Sequence, residues 1–340
     1  MIHTVQDVID ELSVVEEDVE KYIRLNKIKV GKNGSLSEKS YQMLLDLFSS
    51  QVSKQNGYEN DKPFYLLNGH KIEAKQKPVF ESANNRISLF QDDAINFLKN
   101  LPAASVDVII TDPAYSGMNQ RLKLGRGKII GKYSDAGKNG AKWFEEFHDT
   151  EDNYKTFLQE CYRVLKNNRH IYIMFDSFSL LSLAPIARDI FEVKNVLCWD
   201  KVNIGLGHYF RRRHEFILFA SKGKRHLNSK NIPDVWKIKR VNSSQYPTQK
   251  PTEVFELMLI GSAEKDFVVC DPFLGSGSSA IAAIKSDCRF LGCDISDKSI
   301  SVSKERVQQF LKSKTDIYQN SSALADDEAM TKLFLNGKSK

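Results

Sequence analysis

From Arg86 to Asp294 the chain alternates short, almost wholly apolar runs with helix-like segments, and this alternation constrains the fold more than any other feature. Arg86 to Phe90 reads as a short strand and Ala94 to Leu101 as a helix. Val106 to Thr111 is apolar but for Asp107 and the closing Thr111 and reads as a buried strand, Tyr154 to Leu165 is amphipathic, and His170 to Phe175 reads as another buried strand. Val193 to Asp200, Glu215 to Ala220, Phe267 to Asp271 and Arg289 to Asp294 continue the strands. Helices over Pro251 to Gly261 and Ser278 to Ser286 fall among them. Strands that are apolar on both faces need helices on both faces, so the pattern predicts a doubly wound, mostly parallel α/β sheet.

The flanks read differently. Residues 1–55 predict a small helical unit: Val5, Val8, Ile9 and Leu12 repeat at helical spacing, as do Val19, Tyr22, Ile23 and Leu25. Lys32-Asn33-Gly34 marks a turn before a further helix holding Tyr41, Leu44, Leu45 and Phe48. This order resembles the helix-turn-helix modules of MerR-type or excisionase-like proteins, and it equally suits a docking or dimerisation arm. Residues 56–85 read as a linker and 315–340 as a polar tail, leaving 86–314 as the main domain.

Composition narrows the class. With 41% hydrophobic and 27% charged residues, 340 residues can bury a core without staples. The five cysteines form no CxxC pair and read as reduced core residues of a cytoplasmic protein. His208 and His214 have no partners at metal-ligand spacing, so no metal site is expected. Met1 to Leu12 lacks the pattern of a signal peptide, and no run approaches the roughly 18 apolar residues of a membrane span. The net charge of +6 is modest, but its distribution is uneven. Between Lys201 and Lys250 the only acids are Glu215 and Asp234.

Two segments carry the chemistry. Val268 to Ser279 (VVCDPFLGSGSS) is a strand, a tight turn and a helix start. Gly275 and Gly277 permit positive φ and close approach of a ligand, and Ser278 or Ser279 can cap the helix. Asp294 closes the following strand, where an acid in such sheets binds ribose hydroxyls. The loop has neither GxGxxG spacing nor a GK[ST] ending, so the ligand is expected to be nucleoside-like with little phosphate. The second segment, Asp112-Pro113-Ala114-Tyr115, ends the most hydrophobic early strand, Val108 to Thr111. A carboxylate and the Pro113 carbonyl offer two acceptors for an exocyclic amine, and Tyr115 a flat face for a flipped base.

These segments resemble the FxGxG and (D/N/S)PPY motifs of the DNA amino-methyltransferases, with Ala114 departing from the second proline. The catalytic motif precedes the cofactor motif, which is similar to the circularly permuted β class over about Arg86 to Gln308. The resemblance implies a Rossmann-like methyltransferase fold, S-adenosylmethionine as cofactor and double-stranded DNA as partner. It admits a homodimer and a cognate restriction endonuclease, with the protein at the nucleoid when bound to DNA. It assigns catalysis to Asp112, Pro113 and Tyr115. It assigns the cofactor to Asp271, Phe273, Gly275, Ser276, Gly277, Ser278, Ser279 and Asp294, with Asp92 (or Asp93) near the adenine ring. Tyr246 to Pro251 matches the class's PTQKP run, making Gln249 and Lys250 candidates for the cofactor's carboxylate side.

The resemblance implies that target recognition falls between the two motifs, where the insert 116–148, with Arg121, Lys123, Arg126, Lys128 and Lys132, and the segment 201–248 are rich in cations. There Arg211, Arg212, Arg213, Lys224 and Arg225 are expected to meet DNA. No cysteine follows a proline, which removes cytosine C5 chemistry. In the family that the motifs resemble, Asp at the first motif position favours adenine N6, which is therefore the expected target. Cytosine N4, a protein glutamine and a non-catalytic DNA-binding role are the alternatives.

Overall fold

The computed structural model describes residues 77–113, 150–205, 210–241, 246 and 249–319, with 3–5, 23, 28–41, 44, 64–67 and 70–73. The chain divides into two compact units, Met1–Lys62 with Pro102–Ala104, and Pro63–Leu101 with Ser105–Lys340. In the first unit His3–Thr4 pairs antiparallel with Ser35–Leu36. The expected turn is present, with Asn33 and Gly34 at φ 63° and 74°. Of the expected helices only scattered positions are described, among them the buried Ile23, Tyr41 and Leu44.

The second unit is built on one nine-stranded sheet. In chain order its elements are β1 (Phe80–Glu81), β2 (Ile87–Gln91), α1 (Ala94–Asn100), β3 (Val106–Thr111), α2 (Glu151–Val164) and β4 (Leu165–Phe175). Then come α3 (Ser177–Ile190), β5 (Glu192–Asp200), β6 (His214–Lys222), β7 (Val235–Lys237) and α4 (Thr252–Ser262). β8 (Val268–Asp271), α5 (Ser278–Lys285), β9 (Arg289–Asp294) and α6 (Asp297–Ser313) complete it. The strand order is β7-β5-β6-β4-β3-β8-β9-β2-β1. Only β1 and β6 run against their neighbours, so the sheet is mostly parallel as expected.

Alternation along the strands sorts side chains to two cores. Ile171, Ile173 and Phe175 of β4 join Phe97, Phe157 and Leu183 from α1, α2 and α3. Tyr172 and Met174 join Val254, Ile281 and Val307 from α4, α5 and α6. The period of 2 thus buries both faces of one strand. Among the described residues no helix is long and apolar enough to cross a membrane.

Two expectations need correction. The stretch 56–85 is not simply a linker: Phe64–Leu67 and His70–Glu73 form a hairpin, and Phe80–Glu81 pairs with β2. Its polar composition hid the short apolar runs. The tail does not begin as free chain at 315, because Asp316 forms a buried ion pair with Arg306, and Gln319 accepts from Thr252 N at 3.0 Å. Helices α3 and α6 form where the sequence pattern gives little helical signal. Pro185 stands inside α3, and a serine- and lysine-rich surface masks the apolar stripe of α6.

Candidate active site

The carboxyl ends of β2, β3, β8 and β9 line one edge of the sheet and present Asp92, Asp112, Asp271 and Asp294. β4 ends there too, at Asp176, and the reversed β6 begins there, with Phe216 opposite Phe175. This edge of an open α/β sheet is where ligand sites form. Asp93 is already occupied as the N-cap of α1, accepting from Ile95 N and Asn96 N, whereas Asp92 lies beside β9, its N donating to Asp294 O. Asp92 thus stands next to Asp294, with its own Oδ1 accepting from Asp93 N at 2.8 Å.

The glycine loop is held from beneath. Asp271, 1% exposed, accepts from Phe273 N at 3.0 Å and from the Ser279 hydroxyl at 2.5 Å. Burial pushes its carboxyl up to about 7 despite those bonds. Gly275, at φ 52°, donates its N–H to Asp294 Oδ2 at 2.8 Å. Ser296 N binds the other Asp294 oxygen, and burial raises that carboxyl as well. A carboxylate has about four lone-pair sites, so Asp294 keeps acceptor capacity. Gly277 sits at φ 78°, and a Cβ there would lie 3.0 Å from Ser303 Cβ on α6. Its missing side chain therefore makes room for a helix rather than for a ligand.

Arg306 of α6 escaped sequence reading because nothing in a helix interior marks a buried arginine. It is fully buried, paired with Asp316 at 2.7 Å, and donates to Ser276 O, Ser276 Oγ, Ser278 Oγ and Thr252 Oγ1. The hydroxyls of Ser276, Ser278 and Ser279 thus brace the loop. Ser278 also donates to the Lys250 carbonyl at 2.7 Å. Phe273 packs edge-on against Phe157, with ring centroids 5.4 Å apart. Tyr246 closes the other side: its hydroxyl bonds Ser299 and would lie 3.5 Å from a Cβ on Gly275.

Lys250 links this loop to Asp112. Its ammonium donates to Asp112 Oδ2 and lies 3.7 Å from Glu215 Oε2. Burial would lower its pKa, but Asp112 and Glu215 outweigh that and hold it above the ordinary lysine range. Lys250 thus faces Asp112, although its sequence motif points to the cofactor. Gln249, 5% exposed, donates to Tyr318 O at 3.2 Å, while its buried Oε1 has no hydrogen-bond partner among the described residues. Pro113 is buried beside Asp112; Ala114, Tyr115, Arg121, Lys123, Arg126 and the rest of 116–148 lie outside the described residues.

The basic segment divides. Arg211, Arg212 and Arg213 precede β6 at the edge that carries Asp112, next to the exposed Phe210. Arg213 is paired with Asp200 at 2.5 Å, and Arg212 lies over the Phe178 ring at 4.8 Å; both remain 49% exposed. Because β6 is reversed, Lys224 and Arg225 emerge at the opposite edge, where Lys222 stands across from Arg169. Arg225 is paired there with Glu264 at 2.8 Å. Lys224 and Arg225, expected to meet DNA along with Arg211, Arg212 and Arg213, therefore stand at the other edge of the sheet from them. Among the described residues no cluster of His, Cys, Asp and Glu could hold a metal ion.

Residues 106–305 match the family model for DNA methylases of the N6/N4 type. The type II methyltransferase M2.MboI of Moraxella bovis is 26% identical over 258 residues, covering 68% of this chain and 92% of that protein. The DNA adenine methyltransferase YhdJ of Escherichia coli is 24% identical over 262 residues, covering 66% and 83%. The structure of the cytosine-N4-specific PvuII DNA methyltransferase shares the fold at a TM-score of 0.52 and 12% identity, covering 78% of this chain and 96% of that one.

Proposed function

The chain belongs to the N6/N4 DNA methylase family, and from that premise we propose that it methylates adenine N6 in double-stranded DNA at the expense of S-adenosylmethionine. The observation that carries this reading is the join between loop and motif. Ser278 in the glycine loop holds the Lys250 carbonyl, and the Lys250 side chain holds Asp112. A methyl donor in the loop and an amine at Asp112 then share one pocket edge.

The residues fit the donor. Asp294 and Asp92 offer acceptors to ribose and adenine, the turn at Gly275 brings backbone close, and the orphaned Gln249 Oε1 suits an ammonium group. Bound S-adenosylmethionine supplies a methyl on an electrophilic sulfonium sulfur. Around it the protein orients the nucleophile. A flipped adenine stacks on Tyr115, and its amino hydrogens donate to the Asp112 carboxylate and the Pro113 carbonyl. The nitrogen lone pair forms the new bond as the carbon–sulfur bond breaks toward sulfur. The surplus proton passes from nitrogen to Asp112 and on to water. Positioning and fixed charge supply the rate, with no covalent enzyme intermediate.

Adenine is favoured by Asp in the first motif position and by the name of the YhdJ relative. The names of the type II relatives suggest a cognate restriction endonuclease. The test is transfer of labelled methyl to unmethylated plasmid DNA, digestion to nucleosides and separation. Label in N6-methyladenine supports the proposal; label in N4-methylcytosine replaces it with the cytosine reading.

A further inference from the structure

The catalytic edge carries a row of alternating charges that the reaction above uses only at one end. Lys201 Nζ donates to Glu215 Oε1 at 3.0 Å, Glu215 Oε2 lies 3.7 Å from Lys250 Nζ, and Lys250 donates to Asp112. Side-chain exposures along the row are 17%, 25%, 15% and 20%. Burial tends to raise the Glu215 carboxyl, but Lys250 and Lys201 bring it below the ordinary carboxylate range. It is therefore an anion, set between two cations.

Lys250 presents a conflict. Asp112 is needed as the acceptor for the target amine, yet one of its oxygens already receives an ammonium. A charge-assisted donor of that kind binds a carboxylate more strongly than a neutral amine N–H does. The Lys250 backbone is fixed by Ser278, but its stem is long and flexible. The second anion within reach is Glu215, and a shift of about 1 Å would bring the ammonium to full hydrogen-bond distance from it. Lys201 fixes the other Glu215 oxygen, leaving Oε2 turned toward Lys250.

We propose that Glu215 receives the Lys250 ammonium when the target amine engages Asp112, which makes Glu215 a positioning residue for methyl transfer. The inference rests on the DNA methyl-transfer reading. Glu215→Gln keeps the shape and removes the charge. Lys250 then stays on Asp112, and single-turnover transfer to unmethylated plasmid DNA should fall about tenfold or more, as expected when a charged hydrogen-bond partner is removed. Calorimetric affinity for S-adenosylmethionine should stay within about twofold, because Glu215 pairs with Lys201 and Lys250, both outside the glycine loop, and the Lys250 ammonium is turned to Asp112.

The double variant separates this role from packing. On a Lys250→Met background there is no ammonium to receive, so Glu215→Gln should cost no further rate. Should Glu215→Gln also lose cofactor affinity, Lys201→Met and Glu215→Asp carry the test, both expected to slow transfer with the cofactor still bound. An undiminished rate in Glu215→Gln, or fully additive losses in the double variant, overturns the proposal. Absence of label in DNA with the parent protein removes the methyl-transfer reading and this one together.

Discussion

Arg306 offers the sharpest test of how the loop is held. Arg306→Met roughly keeps the length of the side chain and removes its charge. It leaves Asp316 uncompensated at 8% exposure and strips the donors from Ser276, Ser278 and Thr252. Breaking one side of a buried ion pair costs about 3–5 kcal/mol, most of it from stranding the partner charge. Arg306→Met should lower unfolding stability by that amount in urea titrations. The double variant Arg306→Met/Asp316→Leu should recover much of it, since replacing both members by apolar groups is often close to neutral. Cofactor affinity should not recover with stability, because Ser276 and Ser278 stay unbraced and Ser278 is the link to Lys250. Parent-like stability in Arg306→Met, within about 0.5 kcal/mol, would refute the electrostatic argument. Parent-like cofactor affinity in the double variant would refute the loop argument.

Three further outcomes follow from the site. Asp112→Ala should abolish methyl transfer, by orders of magnitude in single-turnover rate, while calorimetry finds cofactor binding largely intact. Replacing Arg211, Arg212 and Arg213 together by Ala should weaken DNA binding and flatten its salt dependence, whereas Lys224→Ala/Arg225→Ala, at the opposite edge, should leave the salt slope unchanged in filter-binding titrations. The third outcome concerns pH. The Asp271 carboxyl is raised from 3.8 to about 7, so between those values the native state binds a proton that the unfolded chain releases. Its contribution therefore falls as pH rises through that window. Asp271→Asn keeps an acceptor for Phe273 N and should reduce that slope in urea unfolding measured across the window; an unaltered slope would show that Asp271 is not the titrating group.

Sequence legibility followed the periodicity and failed where a residue acts through distant partners. β3, β4, β8 and β9 were readable because apolar runs buried on both faces leave little alternative, and Gly275 and Gly277 because a tight turn after such a strand needs positive φ. Lys250 could be singled out by its motif but not aimed, since its partners Asp112 and Glu215 come from β3's end and the reversed β6. Arg225 could not be separated from Arg213 for the same reason, as one reversed strand puts them at opposite edges. A usable signal did exist for Glu215: it is one of just two acids between Lys201 and Lys250. An isolated carboxylate among cations at the start of a buried strand either neutralises a neighbour or serves the site. Here it sits within ion-pair distance of both Lys201 and Lys250. The reversal that carries Arg225 away from the edge holding Asp112 is what brings Glu215 to it, so the strand direction that composition could not reveal decides which charges stand beside Asp112.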